Sequence, residues 1–119
     1  MKDVPEHCLY LFSFLVGTET VQVFSYDSEK FYPSGEFCFG EYVAKKQHIY
    51  IERSLDKYQF YVTLLHELIH AISDINGLFL VERTVRILEQ GLGLLFLRNP
   101  DLCRTIVSEL TNGKEDERG

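Results

Sequence analysis

At 119 residues the chain suits one domain and is too short for two of ordinary size. A hydrophobic share of 45% and a charged share of 25%, with eight glycines and three prolines, exclude a wholly disordered, collagen-like or low-complexity chain. Eighteen acidic residues against twelve scattered basic ones give a net charge of -6, which disfavours a nucleic-acid partner.

In chain order, Cys8–Val16 (CLYLFSFLV) is apolar and aromatic apart from Ser13, which predicts a strand buried on both faces and ended by Gly17. The run is too short to span a bilayer and no small-x-small cleavage pattern follows it, so neither a membrane span nor a signal peptide is expected. The cysteines, Cys8, Cys38 and Cys103, are odd in number and far apart, which fits a reducing cytoplasm better than a disulfide scaffold. Residues 20–26 (TVQVFSY) alternate, with Val21 and Val23 opposite Phe24 and Tyr26. Asp27-Ser28 and Pro33-Ser34-Gly35 mark turns. Residues 36–42 and 48–53 (HIYIER) form two further strands, a hairpin connected by residues 44–47.

The period then changes. Ser54 is the expected N-cap of a helix with Asp56 in its first turn, and Tyr58, Tyr61, Leu65, Leu68 and Ile72 recur at helical spacing until Asn76-Gly77. A second helix runs from about 81 to 97 with Val85, Leu88, Leu92, Leu95 and Phe96 on an apolar face. Asn99-Pro100-Asp101 ends it and starts a short third helix closing near Leu110, and residues 112–119 read as a disordered tail. The expectation is one α+β domain over residues 1–111, a small sheet from the N-terminal half packed on helices.

One segment of the first helix carries chemistry: His66-Glu67-Leu68-Ile69-His70, an H-E-x-x-H pattern. Histidines four apart stack on one face of a helix, so both imidazoles can reach one ion at about 2.0–2.1 Å. Glu67 projects beside that face, where its carboxylate can take a proton from water activated by the metal. Asp74, four after His70, is placed to orient a ligand imidazole. A catalytic zinc needs a third protein ligand and an open position. No further histidine follows at the H-x-x-G-x-x-H spacing, which leaves Glu82 and Glu89 on one stripe of the second helix. A turn near residue 78 favours Glu89 and a tighter one at residues 74–77 favours Glu82. The glutamate without metal is expected to pair with Arg86 or reach solvent.

Residues 63–102 resemble the small HExxH metallopeptidases of phages and prophages, relatives of the ImmA/IrrE-type and minimal gluzincin peptidases. The resemblance rests on His66-Glu67, His70-Ala71, Gly77-Leu78, Glu82 with Val85, Leu88, Gly91-Leu92 and Asn99-Pro100. It implies a minimal zincin-like fold, a mostly antiparallel sheet on an active-site helix hairpin plus a short C-terminal helix. It also implies that the third ligand is Glu82, and that the strand at residues 48–52 is an edge on which an extended peptide pairs. A donor for the developing oxyanion is needed too, and Tyr50, Tyr58, Tyr61 and His48 are the candidates.

The expected function is a zinc-dependent peptidase, with His66, His70 and Glu82 holding zinc, Glu67 as general base, a protein or peptide as substrate, and no nucleic-acid or membrane partner. The alternative is a metal-bearing binding module that contacts a host or phage regulator without catalysis. An intact Glu67 favours the enzyme, because a structural site has no use for a base.

Overall fold

The structure, a computed structural model, describes residues 4–30 and 39–118, and side chains as far as residue 113. Its elements are β1 (Cys8–Val16), β2 (Glu19–Tyr26), β3 (Gly40–Val43), β4 (His48–Glu52), α1 (Lys57–Ile75), α2 (Glu82–Arg98) and α3 (Pro100–Arg118). This is the expected α+β class, strands first. The turn at Pro33-Ser34-Gly35, the start of the strand expected from residue 36, and Cys38 lie outside the described residues.

The strands form one sheet in the order β1-β2-β4-β3. β1 and β2 are an antiparallel hairpin with Val16 opposite Glu19. β3 and β4 are another, with Val43 opposite His48. The two hairpins join through a parallel pairing of β2 with β4, Val23 opposite Ile49, so the sheet is mixed but mostly antiparallel. The expectation that β4 is a substrate-binding edge is therefore overturned: β4 lies between two strands, and all five of its residues are buried. The edge beside the helix is β3.

β1 is not buried on both faces as its composition led us to expect, since Leu9 and Leu15 are 65% and 70% exposed. Its apolar residues at both parities have another cause. A bulge between Tyr10 and Phe12 changes the parity of the strand. Cys8 and Tyr10 thus turn to one side of the sheet, whereas Phe14 and Val16 turn to the other.

On that second side Val21, Val23, Ile49 and Ile51 are fully buried with Ala71 of α1, and Phe60, Leu64, Leu68 and Ile75 pack around them. The buried face of α1 is therefore turned by about a quarter of the helix from the Tyr58–Tyr61–Ile72 stripe that sequence spacing picks out. Those three residues are exposed. The opposite side of the sheet holds Phe24, Tyr26 and Tyr50, with Phe24 stacked on Tyr50 at 5.5 Å between ring centres.

α1 is capped by Asp56, whose carboxylate accepts from the Gln59 N–H at 2.8 Å. Ser54, the expected cap, instead donates its N–H to Glu52 Oε2 at 2.7 Å. At the other end Asn76 caps the helix and Gly77 takes φ 67°, a left-handed conformation that favours glycine.

The chain divides into two compact units, residues 1–89 and 90–119. The first holds the sheet, α1 and the first two turns of α2, where Val85 is fully buried. The second holds the rest of α2 and all of α3, which begins at Pro100. The backbone of α3 stays helical to Arg118, well beyond Leu110. The apolar face expected along α2 is not a buried one past Val85, because Leu88, Leu95 and Phe96 are exposed. Among the described residues, no helix is long and apolar enough to cross a membrane.

Candidate metal centre

Helical period places His66 and His70 on one side of α1, one turn apart, with ring centres 5.0 Å from each other. What brings a carboxylate to them is the connection between α1 and α2. Ser73 is buried near the end of α1, its carbonyl accepts from Leu78 N–H and its Oγ from Leu80 N–H, both at 2.8 Å. Gly77 N–H is bonded back to Asp74 O at 3.1 Å. The chain thus turns early, and α2 starts with Glu82 over the two histidines.

Glu82 Oε1 lies 2.5 Å from His66 Nε2, and Oε2 lies 3.0 Å from His70 Nε2. His66, His70 and Glu82 each offer one ligand atom within 4.8 Å of the others. Two imidazole nitrogens and one carboxylate oxygen converging on one point are the donor set of a catalytic-type site, and a tetrahedral ion would need them about 3.3 Å apart. The donor set fits a divalent metal. Burial alone would push the Glu82 carboxyl up, but the two imidazoles outweigh it, by charge and by hydrogen bonds, and hold it below the ordinary carboxylate range.

Glu89 does not join this group. Its Oε1 lies 3.4 Å from Nδ1 of His66, on the far side of the ring from Glu82. Arg86 approaches Glu82, at 4.0 Å, so the expected pairing of the spare glutamate with Arg86 is replaced by a pairing with His66.

Glu67 is not part of the ligand group and is buried. Its Oε1 accepts from the backbone N–H of Tyr42 on β3 at 2.9 Å. Burial raises its pKa above the ordinary value and the charge of Glu82 adds to that, against the opposing effects of His66, His70 and the Tyr42 N–H. A carboxyl held up in this way is suited to shuttle a proton.

Asp74, expected to orient an imidazole, instead accepts from Tyr42 Oη at 2.8 Å. Tyr42, which sequence reading passed over, is therefore bonded to α1 through both its backbone and its hydroxyl. Burial pushes that hydroxyl above its ordinary pKa, helped by the hydrogen bond to Asp74 and its charge. Of the expected oxyanion donors, His48 and Tyr50 lie on the side of the sheet away from α1, bonded to each other at 2.8 Å, so neither reaches the histidines. Tyr58 and Tyr61 sit on the exposed stripe of α1.

β3 approaches α1 closely because residue 40 is glycine. A Cβ there would run into the Thr63 methyl group and stand 3.5 Å from Glu67 Cγ. By the alternation of an antiparallel pair, Glu41 and Val43 turn their backbone groups to β4, while Gly40 and Tyr42 turn theirs outward. Glu67 takes one of these, the Tyr42 N–H. Comparison with protein-family models, with curated proteins and with solved structures finds no match to this chain.

Proposed function

We propose that the protein is a zinc-dependent metallopeptidase of the minimal gluzincin kind. The observation that carries this reading is the convergence of His66 Nε2, His70 Nε2 and the Glu82 carboxylate, with a separate buried glutamate, Glu67, beside them and outside the ligand group. Bound zinc supplies Lewis-acid polarisation of a carbonyl and acidifies water. Glu67, buried beside the ligand group, takes the proton of the attacking water and returns it to the leaving amine. The substrate is a peptide in extended form, added to the outer edge of β3 through the Gly40 backbone and the Tyr42 carbonyl. Next to Gly40 a cavity of about 380 Å³, lined by Phe39, Leu55, Tyr58 and Val62 among others, offers a seat for an apolar side chain of that peptide.

The test has two parts. Elemental analysis after chelator-free purification is expected to find one zinc per chain, lost when His66 and His70 are replaced by alanine. Hydrolysis of a labelled unfolded protein is expected to depend on added zinc and on Glu67. A protein that binds no transition metal overturns the reading. One that binds zinc yet cleaves nothing points to the binding module.

A further inference from the structure

We propose that Glu89 is a positioning residue for this centre: it holds the His66 ring by Nδ1 so that Nε2 faces the ion, and it is not itself a ligand. The inference rests on the reading of His66, His70 and Glu82 as a metal centre. A neutral imidazole has one N–H and one lone pair. If Nε2 gives its lone pair to the ion, the proton sits on Nδ1 and needs an acceptor. The two nitrogens of His66 face two different carboxylates, Glu82 Oε1 at 2.5 Å from Nε2 and Glu89 Oε1 at 3.4 Å from Nδ1. Those glutamates are seven residues apart, two turns of α2, so one helix face grips both sides of one ring.

The surroundings agree with this division. The side chains of Glu89 and His66 are each only 18% exposed, so a carboxylate there needs a partner, whereas Glu82 is half exposed. Arg86 is turned to Glu82 and does not neutralise Glu89. Rotation of the His66 ring about its χ2 bond would swing Nε2 off the ion, and the Nδ1–Glu89 bond opposes that rotation.

The experiment compares the full chain with Glu89→Ala, Glu89→Gln and Glu82→Ala. Zinc affinity is read by chelator competition, the ligand set by the absorption bands of the cobalt(II) form, and folding by far-ultraviolet circular dichroism. Glu89→Ala is expected to weaken zinc by about 10- to 100-fold with the cobalt band positions kept. Glu89→Gln is expected to recover most of that loss, because its amide oxygen also accepts from Nδ1–H. Glu82→Ala is expected to change the cobalt bands themselves. Nitrogen NMR of the zinc form is expected to show His66 protonated at Nδ1. If the wild type binds zinc and Glu89→Ala binds it equally well, the proposal is overturned and the metal centre stands. If Glu89→Ala alters the cobalt bands as Glu82→Ala does, and glutamine fails to rescue, Glu89 is a ligand and the proposal is again overturned. A wild-type chain that binds no metal overturns the underlying reading.

Discussion

Glu67 accepts a hydrogen bond of 2.9 Å from the backbone N–H of Tyr42, and that one bond ties the middle of α1 to the edge strand β3. A strand edge normally leaves such an N–H to solvent or to a partner chain. Here the Glu67 carboxylate holds it, so that side chain and the β3 edge are fixed relative to each other.

The role of that carboxylate can be separated from metal binding. Glu67→Gln is expected to keep zinc affinity and fold, because Glu67 lies outside the ligand group and the glutamine oxygen can still accept from Tyr42 N–H. Hydrolysis is expected to fall by about 10²- to 10⁴-fold, the usual contribution of a general base. Parallel zinc titration and rate measurement on the variant check this, and a loss of zinc would show that Glu67 is a ligand.

The approach of β3 to α1 gives a second prediction. Gly40→Ala drives a Cβ into the Thr63 methyl group, and a β-branched side chain has little freedom to step aside. The cost is expected to be about 1–3 kcal/mol, as for other overpacked sites, with a fall in activity because Glu67 Cγ borders the same space. Thr63→Ser removes the methyl group and should restore most of both in the double variant. Urea unfolding and rates of the two single variants and the double variant measure the coupling.

Ser73 governs where α2 begins, and so where Glu82 lies. Ser73→Ala leaves the Leu80 N–H without its acceptor in a part-buried position, at a cost of about 1–3 kcal/mol. Zinc affinity is expected to drop with it, although Ser73 touches no ligand, because the first turn of α2 loses its anchor. Unchanged affinity in a folded Ser73→Ala variant would show that the α1–α2 connection is held by other bonds, such as Leu78 N–H to Ser73 O.

What could be read beforehand follows the range of each interaction. The two histidines, Glu67 and the helix around them are legible because helical spacing is a local property, and four residues of sequence fix the relation of His66 to His70. Both Glu82 and Glu89 stood out by composition, but only the hydrogen bonds around Ser73 decide how early the chain turns. Those bonds leave no periodic trace. Tyr42 could not be found at all, since its bonds to Glu67 and Asp74 span 25 and 32 residues and depend on which strand ends up at the edge. Strand order is likewise absent from local pattern. The segment HIYIE reads equally well as an edge or an inner strand, and its parallel pairing with β2 is what makes it inner. In β1 the apolar pattern itself misled, because a bulge at Tyr10–Phe12 divides one mostly apolar run between two faces.

The last prediction concerns acid stability and lies away from the candidate metal centre. Glu52, buried at the end of β4, accepts from Ser28 N–H through Oε1 and from Ser54 N–H through Oε2, both at 2.7 Å. Burial pushes its carboxyl up, but the bonds from Ser54 and Ser28 together outweigh that and bring its pKa from 4.5 down to about 2. Because the folded value is the lower one, the unfolded chain binds the proton first. The stabilisation is therefore complete above about pH 4.5 and is lost as pH falls through about 2. The shift corresponds to about 3 kcal/mol at neutral pH. Glu82, also held low, adds in the same direction, though its exposure screens it. Glu67, held high by burial, acts oppositely: its charge costs stability at neutral pH, and protonation relieves that cost as pH falls. Measured on the metal-free chain by urea unfolding from pH 7 to pH 2, Glu52→Gln should be less stable than wild type at pH 7, by up to about 3 kcal/mol. Its deficit should shrink as the pH drops below 4.5. A deficit that stays constant across that range would place the acid sensitivity of the fold elsewhere.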